Sequence, residues 1–399
     1  MHQEKPGKTA SGPPVLKDLI SRLLATPSVS CTCAAIDQGN LQVISLLADW
    51  FETLGFHCEI QILDAKKGKA NLVASLGSGE QGLVLAGHTD TVPCDESRWR
   101  VDPFALTEKD NRFYGLGSCD MKSFFAILIE AIRDIDLNRL KQPLIILATA
   151  DEETSMAGAR ALSTHAAGLG LQRARYAVVG EPTGMKPVRL HKGMMMESIQ
   201  LTGRSGHSSN PALGNNAMEA MFKVMAELMQ WREELQQQYR NPLFEVPVPT
   251  MNFGHIHGGD NPNRICGQCE LQIDIRPLPG MKVNDLRVEM QQRLKKVLRD
   301  TGISIKTEPL FDGVDAMETA RQSELVQLVE KMTKSEAQAV AFGTEAPYYN
   351  ALGMQTIVMG PGSINQAHQP DEYIEMAAIE PAVDIVRQLV KHYCLAGSE

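Results

Sequence analysis

Apolar and polar positions alternate with two different rhythms along this chain. Over 40–54 the apolar residues Leu41, Ile44, Leu47, Ala48, Phe51 and Leu54 recur at helical spacing, and Gly55 closes the pattern as a C-terminal cap. Short apolar runs follow at 57–63, 71–76 and 83–86, the length of buried strands. A long apolar helix is predicted over 121–135, a strand over 144–149, a short helix over 157–164 and a strand over 176–179. Strands alternating with helices predict an α/β layer with a mostly parallel sheet.

After Pro187 the rhythm changes. A strand over 188–203, a helix over 216–239, strands over 249–257 and 269–276, a helix over 283–299 and a strand over 303–310 make the order β-α-β-β-α-β. That order is the ferredoxin-like unit, and its size suits a small domain inserted within a larger one. The α/β pattern then resumes with a helix over 321–333, strands over 338–341 and 356–359, and a closing helix over 376–394. The expected organisation is a floppy extension at 1–14, an α/β domain built from 15–187 and 311–399, and an inserted α+β domain at 188–310.

Composition narrows the function classes. With 399 residues, 43% hydrophobic content and 22% charged residues, the sequence reads as a globular protein of two domains. A formal net charge of −9 argues against a nucleic-acid or anionic-membrane surface. No apolar run approaches membrane-spanning length, and the first residues lack the apolar core of a signal peptide. Eight scattered cysteines do not form a secreted disulfide framework, so the reducing cytoplasm is expected. Cys266 and Cys269 have zinc-like spacing, but no second pair follows and the segment runs into a strand; they read as structural.

The chemistry gathers at strand ends and loops of the α/β domain: His88, Asp90, Asp120, Glu152, Glu153, Glu181 and His368. Each has an ordinary reading by itself. Asp120 suits a helix N-cap, Glu152 and Glu153 suit the first turn of a helix, Glu181 suits an exposed turn, and His368 suits a loop. At successive α/β loops they converge, because ligands of open α/β sheets lie outside the carboxyl ends of the strands. So many acids in one place repel one another unless cations neutralise them. Two histidines and three carboxylates suffice for a pair of Zn²⁺ ions sharing one bridging carboxylate, and the absence of cysteine fits a hydrolytic site.

Four segments, Gly87-His88-Thr89-Asp90-Thr91-Val92-Pro93, Gly115-Leu116-Gly117-Ser118-Cys119-Asp120-Met121-Lys122, Asp151-Glu152-Glu153 and Gly180-Glu181-Pro182-Thr183, resemble the motif set of the dinuclear zinc aminoacylase/carboxypeptidase family. Further segments resemble the acetylornithine deacetylase branch of that family. These are Asn263-Arg264-Ile265-Cys266, Asp274-Ile275-Arg276-Pro277-Leu278-Pro279-Gly280, Gly343-Thr344-Glu345-Ala346-Pro347, and the run from Gly360 through His368 to Tyr373. The likeness covers nearly the whole chain after the extension. Ser123 departs from it, standing where relatives commonly carry glycine.

The resemblance implies a zinc-exopeptidase-like α/β catalytic domain plus an inserted ferredoxin-like dimerisation, or lid, domain. It also implies a homodimer. His88 and Glu181 would hold one Zn²⁺ and Glu153 and His368 the other, with Asp120 bridging and Co²⁺ a substitute. Asp90 would orient His88, Glu152 would serve as general base, and His207 would stabilise the oxyanion from the inserted domain. Arg276 and Asn263 would bind the substrate's carboxylate or carbonyl, and Glu345 its side-chain ammonium. The implied reaction is hydrolysis of N2-acetyl-L-ornithine to ornithine and acetate, with a desuccinylase or broader N-acyl-amino-acid hydrolase as the alternative. A non-catalytic binding protein should have lost ligands or the base, and this chain keeps them. A phosphate-ester hydrolase would want phosphate-binding elements that the sequence lacks.

Overall fold

The computed structural model describes residues 12–395, which fall into two compact units. Residues 1–11 of the expected N-terminal extension lie outside the described part. Its last residues are held: Arg133 donates to the carbonyls of Pro13 and Pro14, and Pro13 is buried.

Among the described residues the first unit comprises 12–189, 319–337 and 348–395. Four parallel strands form its centre, in the order Leu144–Thr149, Gly82–His88, Ala174–Pro182 and Gln355–Gly360. An antiparallel pair, His57–Asp64 and Lys69–Leu76, extends one side. Strands Gly82–His88 and Leu144–Thr149 are buried along their whole length and mostly apolar, as strands covered on both faces must be. Helix Lys122–Ile132 is buried almost throughout and packs against helices Leu16–Leu24 and Ile379–Val390. Its all-round apolar sequence is that of a helix enclosed on every side. Helix Leu16–Leu24 went unread in the sequence, yet Leu19, Ile20, Leu23 and Leu24 make its buried stripe. A small three-stranded sheet, Thr107–Lys109, Arg112–Tyr114 and Tyr373–Glu375, ties the loop before Asp120 to the segment after His368.

The second unit comprises Leu190–Glu318 and Gln338–Pro347. Its sheet is antiparallel, in the order Thr250–Gly258, Gln268–Arg276, Met195–Thr202 and Ser304–Pro309. Helices Ala217–Gln238 and Val283–Val297 pack together over a core that includes Ile199, Leu228, Trp231, Leu271 and Leu294. The chain order of these elements is β-α-β-β-α-β.

The single strand expected over 188–203 is two strands, Val188–His191 and Met195–Thr202. The break falls at Gly193 and Met194. Gly193 is pressed against a neighbouring backbone so closely that a Cβ there would meet the Val314 carbonyl at 2.5 Å. Its N–H donates to Pro277 and that of Met194 to Val314, drawing both out of the ladder. Segments 311–318 and 338–347, both expected with the α/β domain, pack with the second unit.

The first unit depends on how tightly helix Lys122–Ile132 fills the space beside the sheet. Phe125 on that helix has no solvent exposure, so Phe125→Ala leaves a cavity and should lower unfolding free energy by about 3–5 kcal/mol in urea titrations.

Candidate active site and metal centre

The carboxyl ends of the four parallel strands open onto one place. Gly82–His88 delivers His88, the turn after Leu144–Thr149 delivers Glu152 and Glu153, Ala174–Pro182 delivers Glu181, and the chain after Gln355–Gly360 delivers His368. Asp120 comes from the loop just before helix Lys122–Ile132.

His88 is buried, with Nδ1 2.9 Å from the main-chain carbonyl of Asp90. Donation to that oxygen puts the proton on Nδ1 and leaves Nε2 as a ligand atom. Nε2 stands 3.1 Å from Asp120 Oδ1 and 3.8 Å from Glu181 Oε1. The other oxygen of Asp120, Oδ2, lies 3.7 Å from His368 Nε2, which is 3.1 Å from both oxygens of Glu153. One carboxylate thus faces two imidazoles with its two oxygens. Two overlapping groups have the spacing to hold a cation: His88 with Glu152 and Glu181, and His88 with Asp120 and Glu153.

Asp90 does something the sequence did not suggest. Its carboxylate is 3.7 Å from His88 Nδ1, farther than its own carbonyl. The two carboxylate oxygens accept the N–H groups of Glu152 and Glu153, each at 3.2 Å. Asp90 therefore fastens the turn that carries both glutamates.

Electrostatics bear the mark of crowded negative charge. Burial, then the Glu181 carboxylate, push Glu152 well above the usual carboxyl range. Burial alone would lower His88, but its hydrogen bond to Asp120 and the charges of Glu181 and Glu152 push it well above the ordinary imidazole value. His368 is raised by its hydrogen bond to Glu153. A divalent cation relieves this repulsion directly, and the donor set of carboxylates and imidazoles fits a hard-to-borderline ion such as Zn²⁺.

Three further residues support the site and were missed. Glu372 is buried and accepts three N–H groups of the loop carrying Asp120: Gly117 at 3.1 Å, Cys119 at 2.7 Å and Asp120 at 3.0 Å. Burial and the Asp120 charge push its carboxyl up to about 8. Lys122, also buried, donates to the Thr26 carbonyl at 2.7 Å, and burial pushes its ammonium down to about 7. Lys69 joins Asp37 at 2.8 Å and Asp151 at 2.6 Å. Glu372 lies within the long motif around His368, a signal that was present; Lys69, at a strand start, reads from sequence as a surface residue.

The other four candidates belong to the second unit. His207 is exposed, and its Nδ1 accepts the Ser209 N–H at 3.2 Å, so a neutral ring carries its proton on Nε2. Ser208 N–H donates to the Asn263 carbonyl at 3.1 Å, which brings Asn263 beside the His207 turn. Arg276 is half-buried and donates through Nε to Asp274 at 2.9 Å. Glu345 is fully buried, next to Thr344, whose Oγ1 lies 3.1 Å from His191 Nε2.

A parallel α/β sheet whose strand ends gather histidines and carboxylates describes a metallohydrolase-type site. The model of Peptidase family M20/M25/M40 matches residues 84–392, and the chain belongs to that family. It is 50% identical over 383 residues to the acetylornithine deacetylase of Proteus mirabilis (strain HI4320), covering 96% of this chain and 98% of the relative. In fold it resembles an M20 family metallo-carboxypeptidase from Sulfolobus solfataricus, with TM-score 0.73, 19% identity and coverage of 95% of this chain and 98% of that one. It also resembles a dinuclear metal binding peptidase of the same family from Bacillus subtilis, with TM-score 0.66, 13% identity and coverage of 95% and 97%.

Glu372 offers a direct test of how the Asp120 loop is held. In Glu372→Gln one oxygen becomes an NH₂ that faces backbone N–H donors, so the loop must shift. Divalent-metal affinity should fall roughly 10- to 100-fold, read by metal titration against the unaltered protein.

Proposed function

We propose that this protein hydrolyses the acetamide bond of N2-acetyl-L-ornithine to L-ornithine and acetate, a step of arginine biosynthesis in the cytoplasm. The observation that carries the reading is 50% identity over 96% of the chain to an acetylornithine deacetylase, together with a histidine and carboxylate cluster kept whole.

In this reading His88 and Glu181 would hold one Zn²⁺, Glu153 and His368 would hold the other, and Asp120 would serve both. The two oxygens of Asp120 facing two different imidazoles support that assignment. When bound, the metals, with Co²⁺ a workable substitute, polarise the amide carbonyl and acidify a water. Glu152 accepts the proton of that attacking water and returns it to the departing amine nitrogen, so the carbonyl carbon gains the hydroxyl as the C–N bond breaks. Asp90 keeps Glu152 and Glu153 in place through their N–H groups. His207 presents Nε2–H to the oxyanion. Arg276 grips the α-carboxylate with its guanidinium fork, Asn263 assists at the carbonyl or carboxylate, and Glu345 pairs with the side-chain ammonium.

We propose further that the protein is a homodimer joined through its second unit. Met218, Phe222 and Met229 are exposed on one stripe of helix Ala217–Gln238, and Ile256 is exposed on the sheet-edge strand Thr250–Gly258. Exposed apolar groups on a helix face and on an open sheet edge favour association.

Acetate release from N2-acetyl-L-ornithine should vanish on chelation and return with Zn²⁺ or Co²⁺. Glu152→Ala should cut kcat about 100- to 10,000-fold with metal still bound. The N2-succinyl and neutral N-acetyl-amino-acid analogues, assayed alongside, should turn over more slowly; a faster succinyl substrate would transfer the reading to a desuccinylase. Light scattering after size exclusion should give a dimer, and Phe222→Glu should shift it toward monomer.

A further inference from the structure

Glu152 and Glu153 are adjacent in sequence, yet their carboxylates serve different groupings. Glu152 stands with His88 and Glu181, and Glu153 with His88, Asp120 and His368. The residue before them sets their directions. Asp151 has φ +58, in the left-handed region that non-glycine residues occupy at a cost, though aspartate less so than most. Its carbonyl accepts the N–H groups of Thr154, Ser155 and Met156, which wraps the turn tightly around it.

The carboxylate of Asp151 is anchored independently of that turn. Oδ1 accepts from Lys69 Nζ at 2.6 Å and from Ser30 Oγ at 2.9 Å, and Ser30 Oγ lies 2.9 Å from Thr154 Oγ1. Lys69 itself is only 3% exposed, and its second bond, to Asp37 at 2.8 Å, holds it from the other side. Asp37 accepts the Cys31 N–H at 3.1 Å, and Lys67 lies 3.6 Å from its second oxygen. Burial would lower the Lys69 ammonium, but its bonds to Asp151 and Asp37 hold it above the ordinary lysine value, so it stays charged. Strand register explains why this lysine is there. Leu72 pairs with Ala148 and Val73 with Leu147 in an antiparallel ladder, so continuing the register past its end sets position 69 opposite position 151. The ladder itself stops short, because the Ala150 N–H goes to the Asn71 side chain. Beyond it the backbone is free to turn left-handed, and a side-chain bridge replaces the missing ladder bonds.

We infer that Lys69 is a positioning residue: its bridge to Asp151 fixes the left-handed turn that sends Glu152 and Glu153 to separate places in the centre. It acts opposite Asp90, which grips the same turn by the N–H groups of Glu152 and Glu153. The inference rests on the deacetylase reading for its kinetic test, and on geometry alone for its structural one.

The experiment compares metal-loaded Lys69→Met, Asp151→Asn and the double variant with the unaltered protein. Each single variant should lose kcat roughly 10- to 100-fold, with KM within about twofold and metal content unchanged. The double variant should be no worse than the poorer single one, since both remove one bridge. A field effect of Lys69 on the centre would move kcat in opposite directions in the two single variants, because one removes a positive charge and the other a negative charge. That result overturns the inference, as does wild-type kcat in either variant or a loss that merely follows metal content. Crystal structures of the variants give a readout that does not depend on activity: Asp151 should leave the left-handed region, or the Glu152 carboxylate should move away from Glu181. An unmoved turn in both variants also refutes the role. If Lys69→Met does not fold, Asp151→Asn carries the same comparison, and it keeps a side chain tolerant of the turn. Failure of the unaltered protein to release acetate counts against the substrate reading and leaves the structural test in force.

Discussion

Like charges held together are the constraint on which this structure depends. Asp120, Glu152, Glu153 and Glu181 converge at the ends of parallel strands, with His88 and His368 between them. Such a cluster disperses unless the backbone beneath it is rigid, because each carboxylate gains by moving toward water. The rigidity comes from the surrounding apolar mass: fully buried strands on one side, and on the other a helix whose residues are nearly all buried. A close-packed interior resists small displacements.

A second layer of carboxylates does the fine adjustment, and it works through main-chain N–H groups rather than through the ligand side chains. Asp90 holds the turn of Glu152 and Glu153, and Glu372 holds the loop of Asp120. Main-chain donors cannot change rotamer, so a carboxylate fixed to them fixes the Cα positions of the neighbouring ligands. The acidic character of the region therefore has two sources. Some acids face the cation position, and others brace the loops behind it.

Much of this was legible in the sequence. The seven residues stand out because histidines and acids recur at the strand ends and in the loops of the α/β pattern, and chance does not repeat that arrangement across successive loops. The bracing residues were harder to see. Lys69 looks like a surface residue in one dimension and only tertiary contact buries it, whereas Glu372 stood within a legible motif that did not reveal which backbone it holds. The strand expected across 188–203 ran on because the N–H bonds that break it, from Gly193 to Pro277 and from Met194 to Val314, go to partners about a hundred residues away in sequence. The helix at Leu16–Leu24 escaped notice because its stripe is short and follows a polar stretch, leaving its packing partner, helix Lys122–Ile132, to define it.

Glu372 also joins parts of the chain made at very different times. Its N–H partners lie at Gly117, Cys119 and Asp120, more than two hundred and fifty residues earlier in synthesis. A chain that leaves the ribosome N-terminus first presents His88, Asp120, Glu152, Glu153 and Glu181 long before His368 and Glu372 exist. Through that interval the Asp120 loop has no carboxylate to hold its N–H groups, and the fourth parallel strand is missing from the sheet. The acidic centre is thus completed by a much later part of the chain, so a product truncated before Glu372 carries most of the ligands without the brace that arranges them.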